Sequence, residues 1–234
     1  MHMRATASVT DNTEFDRTIC LGLGREAGPL LPVNLVQHKA AGDLLFAEGD
    51  RADAVYEMVS GMVRLYKLLP DGRRQVTGFL TAGQLLGLAP EGTCVFNAEA
   101  ITDVSVCCYK RAAFERLIDE VPGFARRLLA VTSHELHAAQ DQMVLLGRKT
   151  ASEKVASFLL LMAASQRGGE TGIDVPMTRG DIADYLGLTV ETVSRTLTRL
   201  RQDGLIALPN PTRILFIDRK GLETLATGDF SDLI

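Results

Sequence analysis

The sequence predicts an α+β protein in three parts: an N-terminal antiparallel β-roll of the jelly-roll kind, a long dimerisation helix, and a C-terminal winged helix-turn-helix. Three observations predict it. Residues 33 to about 110 are short strand-like runs punctuated by Gly42, Gly49, Gly61, Gly72, Gly78, Gly83 and Gly87, which leave room for one strand each. Residues 122–146 carry apolar side chains in a 3–4 repeat. Residues 177–204, MTRGDIADYLGLTVETVSRTLTRLRQDG, contain two helix caps either side of a glycine turn. The chain's 234 residues suit two domains. The expected divisions are a flexible segment at 1–30, the β-roll at 31–121, the dimerisation helix at 122–148 and the winged domain at 149–234.

The first stretch, MHMRATASVTDNTEFDRT, has no apolar run of the secretory kind and reads as a tail. The longest apolar stretch, FLLLMAA at 158–164, is too short to span a bilayer. A soluble, cytoplasmic protein with no membrane partner is the expectation. The formal charge of −4 argues weakly against a nucleic-acid partner. Its distribution matters more. Arg195, Arg199, Arg201 and Arg213 gather near the helix-turn-helix, with Arg148, Lys149 and Lys154 just before it, as a basic footprint on an acidic body.

In the β-roll, LLFAEGD turns at Gly49-Asp50, while VRLYKLL runs into Pro70-Asp71-Gly72 and returns as RRQVTGFL. Alternation along 63–68 is loose. An antiparallel barrel closes so many short strands. Jelly rolls also host metal enzymes, which need clustered histidines and a carboxylate. Here the barrel holds His38 alone, with His2, His134 and His137 elsewhere, and His134-Glu135-Leu136-His137 is not H-E-x-x-H. Cys20, Cys94, Cys107 and Cys108 form no C-x2-C pair, so zinc and iron–sulfur frameworks lack support. Neighbouring Cys107 and Cys108 read as small buried strand residues, and whether any of the four thiols is redox-active stays open. No nucleophilic or metal centre emerges, and an enzyme is rejected.

The long helix is expected to start at Pro122. Leu129, Thr132, Leu136, Ala139, Met143 and Leu146 follow one another at 3–4–3–4–3, the seam of a two-stranded coiled coil. Phe124, Leu128 and Val131 suit the opposite use, packing on the chain's own barrel. A homodimer follows, formed without an activating ligand because no acidic residue interrupts the seam. The next helix opens at Thr150 with Glu153 as its capping-box partner and ends before Gly168-Gly169. Val155, Phe158, Leu159 and Met162 give it an apolar face.

In the helix-turn-helix, Thr178 caps the first helix with Asp181 as reciprocal partner, and Ala183 is small where helices must cross. Gly187 permits the left-handed turn. Thr189 caps the second helix, whose inner face is Val193, Leu197 and Leu200. Val190, Glu191, Ser194, Arg195 and Arg199 project outward, as a recognition helix requires. The bland alternative for Glu191 and Arg195 is a surface i,i+4 ion pair of about 0.3–0.5 kcal/mol. After Gly204, LIALP and TRILFID read as two strands around Asn210-Pro211, a wing. Arg213 beside its tip is either a phosphate contact or a solvated turn residue.

Barrel, long helix and winged helix-turn-helix in this order, with MTRGDIADYLGLTVETVSR (177–195) and DQMVLLGRKTASEKVASF (141–158), resemble the CRP/FNR superfamily of bacterial transcription regulators over residues 33–226. The barrel is then of the cyclic-nucleotide-binding type. Glu191, Ser194 and Arg195 meet the E-x-x-S-R pattern of the FNR/FixK branch. The resemblance implies a palindrome like TTGAT-N4-ATCAA in double-stranded DNA, read by Glu191, Ser194, Arg195 and Val190. Thr178, Arg179, Thr189 and Thr192 match positions that hold the DNA backbone, a role extended to Arg199 and Arg213, and RNA polymerase is the implied partner.

The departures from the family concern the signal. No cysteine follows Cys20 in LGLGREAGPLLP, so the oxygen-sensing [4Fe–4S] pattern is broken. The positions of the cyclic-AMP branch's Gly-Glu and Arg-Ser pairs look like Gly83-Gln84 or Gly87-Leu88, and Asn97-Ala98. Without the arginine a buried cyclic phosphate lacks its charge partner. No cofactor is therefore expected, as in FixK-type regulators. The alternative is control by haem, nitric oxide, a small metabolite or cysteine oxidation.

Overall fold

The computed structural model describes residues 36–89, 92–166 and 169–228. Cys20 and the segment expected to be flexible lie outside them. Eight strands precede the helices: β1 (Val36–Lys39), β2 (Leu44–Phe46), β3 (Ala54–Ser60), β4 (Val63–Leu68), β5 (Arg74–Leu80), β6 (Leu85–Leu86), β7 (Asn97–Ala100) and β8 (Val104–Lys110). They pair antiparallel in two four-stranded sheets, ordered β1-β8-β3-β6 and β2-β7-β4-β5. Met58, Val63, Leu80, Leu86, Ala98, Ala100, Val104 and Val106 fill the space between them, which is the expected jelly-roll core. The Gly49 and Gly72 turns occur as expected, both with positive φ. At the second, Leu69 N–H donates to Arg73 O (2.8 Å) and Gly72 N–H to Leu69 O (2.9 Å).

The loose alternation of β4 has a physical cause. A bulge at Leu65/Tyr66 breaks its register with β5. Moreover, the outward side chains Arg64 and Tyr66 are only partly exposed, because another part of the chain packs over them. A strand partly covered on both faces has less reason to alternate.

Helix α1 (Arg111–Glu120) follows the barrel directly and buries Phe114 and Leu117. Sequence reading absorbed it into the β-roll. Helix α2 (Phe124–Arg148) starts two residues later than expected, because Gly123, at φ 85°, is its N-cap and Pro122 belongs to the preceding turn. Phe124 is buried and Leu128 packs beside it against Phe114, Leu117 and Tyr109, the expected barrel-facing side. Among the described residues no helix is long and apolar enough to cross a membrane.

Helix α3 (Ala151–Ser165) opens on the expected Thr150/Glu153 capping box and buries Val155, Phe158, Leu159 and Met162. Strand β9 (Gly172–Asp174), helices α4 (Arg179–Leu186) and α5 (Val190–Gln202), strands β10 (Ile206–Asn210) and β11 (Arg213–Phe216), and helix α6 (Arg219–Thr227) complete the fold. The wing has three strands in the order β10-β11-β9 rather than the two expected. Pro209 lies on β10, at a sheet edge, where its missing N–H costs least.

The hydrophobic core of this C-terminal part does not stop at its own boundary. Met62, Val76 and Phe79 of the barrel join Phe158, Tyr185, Leu186, Leu197 and Ile214 in one cluster. Phe79 meets Tyr185 with ring centroids 5.3 Å apart and Phe158 at 6.0 Å, and Phe158 meets Tyr185 at 5.7 Å. Burial pushes the Tyr185 phenol up to about 12, so it stays neutral in this contact.

Candidate nucleic-acid interface

The helix-turn-helix is built from local chemistry that its sequence states openly. Thr178 Oγ1 accepts from Asp181 N (3.1 Å) while Asp181 Oδ2 accepts from Thr178 N (3.0 Å), closing the capping box of α4. Gly187 ends α4 at φ 61°, with Leu188 N–H returning to Ala183 O (3.0 Å). Thr189 Oγ1 accepts from Thr192 N (3.2 Å) and starts α5. Ala183, Val193, Leu197 and Leu200 are all buried, as expected of the crossing and of the inner face.

That packing leaves one face of α5 outside. Glu191, Ser194 and Arg195 are exposed, and Val190 is 44% exposed despite being apolar. Among the described residues no ion pair joins Glu191 to Arg195; instead Arg195 Nη2 leans on Thr192 Oγ1 at 3.4 Å. The Glu191 carboxyl is held below its usual range by its own backbone N–H, then by the Thr189 hydroxyl, with Arg195 adding attraction. It is therefore an ionised acceptor at neutral pH, and the arginine fork stays available. Glu191 sits in the first turn of α5, where backbone N–H groups favour anions.

The groups expected at the backbone divide in two. Thr178, Thr189 and Thr192 lie at the N-termini of α4 and α5, and Arg179 is the first residue of α4. Arg179 is half-buried; burial lowers its pKa, and its buried Nη1 has no hydrogen-bond partner among the described residues. A buried guanidinium nitrogen without a partner is a costly state. Arg199 and Arg213 are less available: Arg199 Nε lies 3.7 Å from Asp203, and Arg213 Nη1 lies 2.9 Å from Asp174 on β9. Two members of the expected basic footprint fall away. Lys154 is buried in the face of α3 that packs inward, and Lys149 Nζ donates to Ser157 Oγ (2.7 Å) and Ala226 O (2.8 Å).

Along α2, Leu129, Leu136 and Met143 are 66%, 59% and 72% exposed, with Thr132 and Ala139 between them also exposed. Thr132 Oγ1 lies 3.0 Å from the carbonyls of Leu128 and Leu129, so its hydroxyl needs no outside partner. Leu146 departs from the expected seam. It packs against the chain's own winged-domain core, because the helix-turn-helix glycine Gly187 sits beside it.

The barrel positions compared with phosphate binding are spent on the barrel itself. Gln84 Oε1 accepts from Thr81 N (2.8 Å), and Asn97 Oδ1 accepts from Glu48 N (3.1 Å). Ala98 is fully buried in the apolar core, and Ala52, Ala89 and Cys94 pack with Phe46. Arg111 donates to Ala52 O and Gly87 O. Among the described residues at these positions the polar side chains are thus bonded within the barrel, and Ala52, Ala89, Cys94 and Ala98 are apolar. Among the described residues no three metal-ligating side chains cluster. Burial raises the Cys94 and Cys108 thiols, which disfavours thiolate chemistry at both.

Sequence reading missed the residues that hold this head in place. Asp181 is fully buried and accepts from Arg64 Nη1 (2.9 Å) and Arg74 Nη2 (2.6 Å), while Arg74 Nε donates to Asp184 Oδ2 (2.8 Å). The guanidinium groups of Arg64 and Arg74 stand 5.9 and 5.6 Å from the Tyr66 ring centroid. Burial penalises the Arg74 charge, but the hydrogen bonds and charges of Asp184 and Asp181 outweigh it and leave its pKa raised. The available signal was indirect: two arginines flanking a tyrosine on strands that fail to alternate.

Two family models match the chain, one for the cyclic nucleotide-binding domain over residues 36–121 and one for the Crp-like helix-turn-helix domain over residues 153–225. The chain is 46% identical over 196 residues to the nitrogen fixation regulation protein FixK of Bradyrhizobium diazoefficiens, covering 82% of this chain and 81% of that protein. It is 46% identical over 200 residues to the transcriptional activatory protein AadR of Rhodopseudomonas palustris, covering 83% of each. The solved structure of FixK2 from Bradyrhizobium japonicum superposes with a TM-score of 0.77 at 40% identity, covering 82% of this chain and 97% of that one. The chain belongs to the CRP/FNR family of transcription regulators, on the FixK/FNR side, and is not an enzyme.

Proposed function

We propose that the chain is a homodimeric transcription activator that reads a TTGAT-N4-ATCAA-type palindrome in double-stranded DNA, without a cyclic nucleotide or an iron–sulfur cluster. The observation that carries the reading is the exposed, mutually unpaired set Glu191, Ser194 and Arg195 on the first turns of a helix whose other face is buried. Arginine can fork onto guanine O6 and N7, glutamate accepts from cytosine N4, and serine and Val190 fit beside a thymine methyl. Thr178, Arg179, Thr189 and Thr192, at the N-termini of α4 and α5, take the phosphates. Arg199 and Arg213 add longer-range attraction, weakened by Asp203 and Asp174.

Dimerisation is supported by the uncovered stripe Leu129, Thr132, Leu136, Ala139 and Met143. Each large apolar side chain buried there contributes about 1.5–3 kcal/mol. Two recognition helices in a two-fold pair then meet successive major grooves about 34 Å apart. Ligand independence is supported by a barrel whose phosphate-segment positions are apolar or already bonded. AadR's description as a transcriptional activatory protein supports activation; RNA polymerase is the partner and the cytoplasm the compartment that this reading calls for.

Gel-shift titration of reduced protein with no added ligand tests the reading. Tight binding to the palindrome over a scrambled duplex is expected, and equal binding to both rejects it. Gel filtration at micromolar concentration should give a dimer; a monomer peak removes the two-fold arrangement. Run-off transcription that requires an added effector would instead favour control by a ligand or by oxidation.

A further inference from the structure

Helix α4 has eight residues, and its polar ends are satisfied largely from outside the winged domain. At its C-terminus the Asp184 carbonyl accepts from Gln75 Nε2 of β5 (2.7 Å), and the Tyr185 carbonyl accepts from Gln142 Nε2 of α2 (3.0 Å). These are carbonyls that a helix end leaves without an internal partner. At its other end Asp181, already the acceptor of the capping box, also receives both barrel guanidinium groups. The second carboxylate, Asp184, takes the remaining edge of Arg74. Arg64 is itself steadied by Glu99 of β7, 2.5 Å from its Nη2. One short helix is thus bonded to the α2 helix on one side and to the β4–β5 hairpin on the other.

A buried ion cluster is a poor source of net stability, because desolvation cancels most of the attraction. Its geometric demands are strict, since a two-pronged guanidinium accepts only a narrow range of carboxylate positions. The same aspartate orients Thr178 and Arg179 through the cap, so the barrel's hold is transmitted to the end of α4 that faces the phosphates. In a dimer joined along α2, the tilt of each α4 relative to α2 decides how far apart the two α5 helices lie.

We propose that Arg64 and Arg74 are positioning residues for DNA recognition: by gripping Asp181 and Asp184 they set the angle of the helix-turn-helix against α2, and so the half-site spacing the dimer accepts. The inference rests on the reading of the chain as a dimer on two half-sites. It adds that the ruler for the spacer is in the barrel.

The test compares palindromes with spacers of three, four, five and six base pairs, and a scrambled half-site control, by fluorescence anisotropy on full-length dimer. The parent is expected to prefer one spacer by about tenfold or more, which is about 1.4 kcal/mol. In the Arg64→Gln/Arg74→Gln double variant that ratio should fall to about threefold or less, while the preference for TTGAT over scrambled sequence persists. Arg74→Lys, which keeps the charge and loses the fork, should not restore the ratio. A variant that lost stability alone would weaken every duplex in the same proportion and leave the ratios untouched. Should the double variant fail to fold, Arg74→Gln and Asp184→Asn leave Arg64 on Asp181 and carry the same readout at a smaller amplitude. A parent indifferent to spacer length, or variants with unchanged ratios, overturns the inference. A parent that ignores TTGAT altogether overturns the proposed function instead.

Discussion

Helices α4 and α5 belong to one motif, share threonine caps and are joined through Gly187, yet they are treated in opposite ways. The outward groups of α4 are bonded to other parts of the chain: Asp181 and Asp184 to barrel arginines, two carbonyls to glutamines. Those of α5 reach no further than their own helix, as Arg195 does with Thr192 and Thr198 with the Ser194 carbonyl. The difference separates two tasks. A reader must keep its donors and acceptors free for base edges, whereas its mount commits its carboxylates and end carbonyls to the rest of the chain.

The comparison breaks most visibly at Asp181. Replacing it by Ala removes the reciprocal acceptor of the cap and the buried carboxylate that Arg64 and Arg74 share, leaving them only Glu99 and Asp184, so a loss of about 3–5 kcal/mol is expected in urea unfolding. A loss below about 1 kcal/mol, within the range of surface substitutions, would show that α4 is not held as described. Glu191→Ala or Arg195→Ala on the other helix should leave stability within about 0.5 kcal/mol of the parent. Each should relax base preference by about 1–3 kcal/mol per half-site contact, read by competition gel shifts.

Arg179→Ala sits between the two helices in kind. It should weaken all duplexes alike and reduce the salt dependence of binding by about one phosphate's worth per subunit. A sequence-dependent loss would move Arg179 to the reading set. The smallest effect concerns pH. Because the folded Glu191 pKa is depressed, its carboxylate stays charged until pH falls below the usual range of about 4.3. The Glu191-dependent part of base preference should therefore be flat from about pH 8 to pH 5, measured as the difference between parent and Glu191→Ala. A decline starting near neutrality would mean that another titrating group governs the contact.

The same contrast explains what was legible in the sequence. Thr178/Asp181, Thr150/Glu153 and Thr189 are caps whose partners lie within three residues, so the pattern carries its own geometry. The α5 face was readable for a similar reason, since 3.6-residue periodicity assigns inner and outer positions without tertiary knowledge. The grip on α4 joins Arg64 and Arg74 to Asp181 across 117 and 107 residues of chain. No local rule reports such a pair, and Asp181 was already accounted for as a cap. Lys154 and Leu146 misled for a related reason. A lysine stem packs along an apolar face while its charge remains polar, and a seam position near the end of α2 is also within reach of the next domain. Helix α1 and strand β9 escaped because ten and three residues give too little periodicity to stand out.

Phe79, Phe158 and Tyr185 share their rings across the boundary between barrel and winged domain, and this bears on how the molecule melts. Neither half owns a complete interior: cut apart near residue 149, the DNA-reading half would present aromatic surface to water. Heating the intact chain should accordingly give one calorimetric transition spanning both halves rather than a low-temperature loss of the reader alone.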